Sequence, residues 1–220
     1  MKTSALPTNV TVLDHPLVAV RLTRLRAAST PNAEFRLLVD ELSTFLAYEA
    51  LRDVALKPTL IDTPVVSGVP AFVLAEEPVV IPILRAGLGM TSAVEKALTS
   101  SRLCLLGLRR NETTLEPETY HDGIPENLSG THVVICDPML ATGGSLAHAL
   151  ELVTARGAAR VSALCLIGAV PGVQKVAARF PEVHFYLAAV DEELNSNGYI
   201  VPGLGDAGDR QFGPPVHNPS

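Results

Sequence analysis

The chain has 220 residues, enough for one sizeable α/β domain, and its 47% hydrophobic and 18% charged content supports a large core and excludes general disorder. With no Trp and only 5% aromatic residues, that core must be aliphatic. A net charge of −6 supplies no broad basic face for nucleic acid, no stretch approaches the ~18 apolar residues of a membrane span, and MKTSALPTNVTVLDHP lacks a signal-peptide core, so a cytoplasmic protein is expected.

Residues 1–14 read as an N-terminal arm that pairs or packs against the body. Pro16 suits a first helical position, with His15 or Asp14 as cap, and apolar residues recur at rough helical spacing to Ala28. Thr30-Pro31 opens a longer helix whose apolar side includes Leu38, Leu42, Phe45, Leu46 and Ala50, with Pro58 expected to end it. Segments 59–66 and 69–74 read as strands around a Ser67-Gly68 hairpin turn. An apolar strand over 79–84 runs into Arg85, a helix follows over 87–98, and 103–108 is again strand-like. Segment 109–130 has no clear period, and loops beyond ~12–15 residues are often lids or binding loops. From 131 the pattern is regular: strand 131–136, helix 144–156 closed by Gly157, strand 161–167, helix 171–180, strand 183–188. This alternation predicts an α/β fold with a mostly parallel twisted sheet flanked by helices, a single domain over 15–213, and a flexible tail over 214–220. Cys104, Cys136 and Cys165 each fall in an apolar strand-like run without a CxxC pair, as small buried hydrophobes of a reducing compartment do.

The most informative stretch is 133–145. A buried strand delivers Asp137 to its C-terminal end, small and hydroxylated residues follow, and a helix begins. Ligands in open α/β sheets sit beyond the carboxyl ends of strands, and a helix N-terminus offers unpaired N–H groups to an anion. Gly143 and Gly144 let backbone come close, and Thr142 and Ser145 add hydroxyls. The bland alternative is a glycine-rich turn capped by Thr142. Neither a Gly-Lys-Ser/Thr ending nor GxGxxG is present, which weakens NTPase and dinucleotide readings. Arg85, at a strand end before a helix, could clamp pyrophosphate or simply lie at the surface. Arg109 and Arg110 open the aperiodic segment with charge suited to an anion. The run 191–210 reads cold as a loop of turn formers, though glycine-containing backbone can also present fixed donors and acceptors to a flat polar base.

Three of these strings together, DPMLATGGS (137–145), ILRAGLGM (83–90) and GYIVPGLGDAGDR (198–210), resemble the uracil phosphoribosyltransferase family of the type I phosphoribosyltransferases. The resemblance implies that fold, with a small hood and β-arm region, and transfer of 5-phosphoribose from 5-phosphoribosyl 1-diphosphate (PRPP) to uracil. It implies that Asp137 faces the ribose hydroxyls and that Pro138, Met139, Leu140, Ala141, Thr142, Gly143, Gly144 and Ser145 embrace the 5-phosphate. Arg85 and Arg110 would meet pyrophosphate and, with Asp137, form the catalytic set. Ile200 and Ala207 would contact uracil through their backbone, Gly205 would shape the site, Tyr199 would wall it, and Asp206 would lie beside PRPP, there either holding magnesium or helping remove the uracil N1 proton. Where many relatives in the wider fold carry two adjacent acids, Asp137 is followed by Pro138, as in the uracil branch. Mg²⁺ arriving with PRPP, a homo-oligomer and GTP as an effector are further implications. Two competing readings are another acceptor base, against which the GYIVPGLGDAG loop speaks, and an RNA-binding regulator on the same fold, against which the charge speaks.

Overall fold

The computed structural model describes residues 6–98, 100–110 and 117–213. The chain runs through β1 (Val10–Val12), α1 (Pro16–Arg26), α2 (Asn32–Ala50), β2 (Leu56–Ile61), β3 (Val69–Leu74), β4 (Val79–Leu84), α3 (Leu88–Ala97), β5 (Arg102–Leu103), β6 (Leu106–Arg110), β7 (Pro117–Asp122), β8 (His132–Cys136), β9 (Met139–Leu140), α4 (Gly144–Ala155), β10 (Arg160–Ala169), α5 (Val170–Arg179), β11 (His184–Asp191), β12 (Glu193–Leu194), β13 (Ile200–Val201) and α6 (Ala207–Phe212).

The main sheet is ordered β1-β11-β10-β8-β4-β6-β7, with β5 alongside β4 and β9 alongside β10. Every pairing in it is parallel except β6 with β7. Burial on both faces explains why its central strands are apolar runs rather than alternating ones. Ile81, Ile135, Ala163 and Phe185 stand in register across four strands and pack beneath α4 and α5. One position along, Cys136, Leu164 and Tyr186 share the opposite face, covered by α1, α2 and α3. Each fully buried aliphatic side chain in these layers is worth about 1.5–3 kcal/mol relative to exposure.

The N-terminal arm is an edge strand of this sheet, with Thr11 in register with Tyr186 and its hydroxyl 2.9 Å from His184 Nε2. Pro16 opens α1 as expected, with His15 Nδ1 accepting from Leu17 N at 3.1 Å, but the helix stops at Arg26 rather than Ala28. Pro58 does not end α2. That helix finishes at Ala50, and Pro58 lies inside β2 opposite Phe72. The β2–β3 pair is a separate two-stranded ribbon, where an edge position tolerates a residue without an N–H. Its turn is longer than the two-residue hairpin read from Ser67-Gly68: Thr63 N donates to Val66 O at 2.9 Å, and Asp62 Oδ1 accepts from Gly68 N at 2.9 Å. The aperiodic segment is also more ordered than expected, since β6 and β7 form an antiparallel hairpin that extends the sheet, with an irregularity at Gly107/Leu108 that hides its period. Residues 111–116 and the tail 214–220 lie outside the described residues. Among the described residues no helix is long and apolar enough to cross a membrane.

Candidate active site

The segment after β8 is held by the strand beside it. Asp137 N donates to Leu164 O at 3.1 Å, Pro138 O accepts from Leu166 N and Ile167 N at 3.1 Å each, and β9 pairs with β10. The loop is thereby fixed at the carboxyl edge of the sheet before α4 begins. Gly143, at φ 80°, makes the left-handed turn into α4, and no side chain caps that helix. Thr142 is therefore not the cap that the bland reading required. The N–H groups of the first turn are thus left without a side-chain cap, as an anion site needs. Leu140 is fully buried beneath α4 and α5, so it can offer only backbone, and Pro138 is buried as well.

A cleft of about 220 Å³ is lined by Arg85, Ala86, Leu108, Asp137, Met139 and loop residues 141–146. It brings together Arg85 from the end of β4, Asp137 from the end of β8 and the uncapped start of α4. Burial pushes the Asp137 carboxyl up to about 7, partly opposed by the N–H of Met139, which reaches its Oδ1 at 3.4 Å. The adjacent Cys136 thiol is pushed up to about 12 by burial and by the Asp137 charge, and burial raises Cys165 well above the ordinary thiol range. Neither can serve as a thiolate nucleophile near neutrality. A larger cavity of about 480 Å³ lies between β1, α1 and α2, lined by residues such as Phe45, Tyr48 and Arg52, and holds none of the expected site residues.

The 191–210 run folds as the β12–β13 hairpin followed by α6, a short helix its glycines concealed. Asn195 Oδ1 accepts from Asn197 N at 2.9 Å and Tyr199 N at 3.0 Å, shaping the hairpin tip. That tip lies beside the loop between β9 and α4, close enough that a side-chain carbon on Gly198 would meet the Thr142 methyl at 3.8 Å. Ile200 and Ala207 bury their side chains in the core that includes α2, so only their backbone could serve a ligand, and the Ala207 carbonyl already accepts from Gln211 Nε2 at 2.9 Å. Tyr199 is half-exposed, and Gly205 turns at φ 80°. Asp206 caps α6, its Oδ1 accepting from Asp209 N at 2.8 Å, so one of its two oxygens is committed. The segment reaches Arg85 through an ion pair, Arg85 Nη2 to Asp209 Oδ1 at 3.0 Å. Arg110 ends β6 opposite Pro117; its side chain lies outside what is described.

Sequence reasoning missed the residues that hold this run in place. Asp191 accepts two bonds from Arg26, at 2.7 and 2.8 Å, and one from Gly203 N at 3.0 Å. Arg210 donates to Leu25 O, Leu204 O and Ala27 O at 2.7–2.8 Å, with its guanidinium 4.3 Å from the Phe35 ring centre. The bonds from Arg26 to Asp191 and from Arg210 to Leu25 O and Ala27 O join segments 165 or more residues apart and leave no local signal. Among the described residues no cluster of three or more His, Cys, Asp or Glu could cage a metal. The donors present, Asp137 and the uncommitted oxygen of Asp206, suit a hard cation that brings most of its oxygen ligands with a substrate.

Residues 12–214 match the family model described as uracil phosphoribosyltransferase. A protein of that name from Kineococcus radiotolerans is 50% identical over 207 residues, covering 93% of this chain and 98% of the relative. Another, from Pseudarthrobacter chlorophenolicus, is 48% identical over 204 residues, 92% and 97% of the two chains. The solved structure of the AQ2163 protein from Aquifex aeolicus superposes with a TM-score of 0.87 at 38% identity, over 94% of this chain and all of that one. A purine phosphoribosyltransferase from Pyrococcus horikoshii shares the fold at a TM-score of 0.50 and 21% identity, over 71% of this chain and 85% of its own.

Proposed function

The chain belongs to the uracil phosphoribosyltransferase family, and from that premise we propose that it moves the 5-phosphoribosyl group of PRPP to N1 of uracil, forming UMP and releasing pyrophosphate. The fold is that of the type I phosphoribosyltransferases, and the catalytic body spans 15–213. One observation carries the assignment of the site: an uncapped α4 beginning beside Asp137, with Arg85 across the same cleft. The N–H groups of the loop from Pro138 to Ser145 hold the 5-phosphate, helped by the hydroxyls of Thr142 and Ser145. Ionised Asp137 accepts from the ribose hydroxyls and sets a negative field beside C1 as its bond to pyrophosphate stretches and the sugar gains positive charge. Arg85 and Arg110 neutralise the departing pyrophosphate. The uncommitted oxygen of Asp206 would help hold Mg²⁺ arriving with PRPP, which would supply further charge neutralisation of that leaving group. The backbone of Ile200 and Ala207 reads the edge of uracil, Gly205 gives the turn that room, and Tyr199 covers one side. As the new bond to C1 forms, N1 passes its proton to an oxygen of the departing pyrophosphate, or to the uncommitted oxygen of Asp206 where that oxygen does not hold the metal.

The test is an assay of PRPP with uracil, cytosine, orotate, hypoxanthine and adenine in turn, with and without Mg²⁺ and GTP. UMP and pyrophosphate should appear in equal amounts with uracil and Mg²⁺ alone among the bases. Equal turnover of a second base, or none with uracil, would overturn the assignment. The effector role of GTP rests on the family resemblance and is read from the same assay as a rise in rate.

A homo-oligomer is part of the proposal. The β2–β3 ribbon carries Leu60, Val65 and Phe72 at 69%, 90% and 70% exposure, a cost a lone subunit has no reason to bear. Sedimentation should give a mass at least twice 23.3 kDa, and Phe72→Asp should lower it. A wild-type protein sedimenting as one subunit would refute this.

A further inference from the structure

The described molecule contains a buried amide that the chemistry above does not use. Gln211, in the last turn of α6, is fully enclosed. Its Nε2 donates to Ala86 O at 3.0 Å and to Ala207 O at 2.9 Å. Its Oε1 is buried with no hydrogen-bond partner, lodged against Gly89 in the first turn of α3. A side-chain carbon at Gly89 would fall on Oε1 and stand 2.8 Å from Cδ, so the glycine leaves the space the amide fills. The amide cannot be turned over, because Oε1 would then face two carbonyl oxygens. An unpaired buried oxygen weakens the fold, and an apolar side chain of similar length would avoid that loss. The feature that distinguishes Gln here is the pair of N–H bonds, which join the first residue of its own helix, α6, to the turn between β4 and α3.

Those two segments belong to different subsites. Ala86 follows Arg85 in the segment assigned to pyrophosphate, and Ala207 lies in the segment assigned to uracil. We propose that Gln211 is a positioning residue that fixes the uracil-reading backbone against the pyrophosphate-reading backbone, so that N1 and C1 meet in line. This deepens the uracil phosphoribosyltransferase reading and rests on it. The other tie between the segments, Arg85 to Asp209, is exposed and is given up when Arg85 turns to pyrophosphate. The buried amide persists through that exchange. The carbonyl of Gln211 is itself anchored by Arg36 Nη1 at 2.8 Å, which keeps the last turn of α6 against α2.

The experiment compares wild type with Gln211→Leu, which keeps the bulk and deletes both donors. The unfolding midpoint should stay close to wild type, since the lost bonds are offset by removal of the unpaired oxygen. Turnover should fall at least about tenfold even with both substrates saturating, because binding no longer aligns the reacting atoms. Hydrogen exchange of segments 85–89 and 207–212 should rise together, a readout that needs no substrate. A folded Gln211→Leu with wild-type kcat and unchanged exchange at 85–89 would overturn the proposal. If that variant does not fold, Gly89→Ala displaces the amide from the other side and should give the same paired rise in exchange; its absence would overturn the proposal equally. Wild-type protein that fails to turn over uracil while the exchange result holds would overturn the function and leave the bridge standing.

Discussion

Asp137→Asn is expected to lower kcat/KM for PRPP at least about 100-fold while making the unliganded protein more stable at pH 8. Both effects come from one carboxyl that burial holds at about 7 against an ordinary 3.8. Below about pH 4 the group is protonated in folded and unfolded chains alike and costs nothing. Between about 4 and about 7 the unfolded chain releases this proton and the folded chain keeps it, so stability falls as pH rises. Above about 7 the full penalty stands, on the order of a few kcal/mol. Asn carries no charge, so its unfolding midpoint should exceed wild type at pH 8 and match it near pH 4. The proposed function needs the unfavourable form: on that reading ionised Asp137 accepts from the ribose hydroxyls, and those donors in turn favour ionisation. Wild-type kcat/KM for PRPP should therefore climb as pH rises through about 7. The Asn variant should lack that step, which separates it from any ionisation of PRPP. Identical pH profiles for the two proteins would remove Asp137 from the reaction.

Gly172→Ala is expected to raise the KM for PRPP by one to two orders of magnitude and leave that for uracil within about threefold. Gly172 sits at the start of α5, where the helix lies directly against the phosphate loop. A methyl there would fall on the Ala141 carbonyl oxygen, and would also stand 2.9 Å from the Ala141 carbonyl carbon and 3.4 Å from that of Thr142. Backbone cannot yield as the end of a long side chain can, so the loop or the helix must move by the better part of an ångström. Overpacking costs about 1–3 kcal/mol, and the gain of about 1 kcal/mol from placing Ala in a helix offsets part of it, so the variant should fold. The carboxyl edge of the sheet carries the displacement, and the first-turn N–H groups lose their aim at the phosphate. Steady-state rates with each substrate varied in turn decide the matter; an unchanged KM for PRPP would show that the loop tolerates the shift.

What the sequence disclosed and what it hid follow from the range of the forces involved. The strand at 133–136, its terminal Asp137 and the helix from Gly144 were legible because each depends on neighbours a few residues away: an apolar run, a break, then helical spacing. The convergence of Arg85, Asp137 and the loop was legible because parallel strands of one sheet present their carboxyl ends on one side. Pro58 misled because a proline ends a helix interior but is also at home on a ribbon edge, and only the pairing with Phe72 distinguishes the two. The β6–β7 hairpin was hidden by its irregular register, and α6 by the Gly208-Asp209 step within a six-residue helix. Arg26, Arg210 and Gln211 gave no sign of their roles, since each acts on backbone far away in the chain. The scaffold of the 191–210 run is thus a tertiary property, whereas the 137–145 loop is largely a local one.

The partnership of β1 with β11 bears on how the molecule is made. Thr11 and His184, which touch in the finished sheet, are 173 residues apart. At a translation rate of about 5–20 residues per second, the opening strand leaves the ribosome roughly 10–35 s before its neighbour exists. Throughout that interval the nascent chain carries an orphan segment, and once β11 has docked on β10 its outer rim waits for that segment to return. A rim left open is a template for any other extended chain nearby. Segment 10–12 therefore finds its place in the sheet only after β11, made 173 residues later, has arrived.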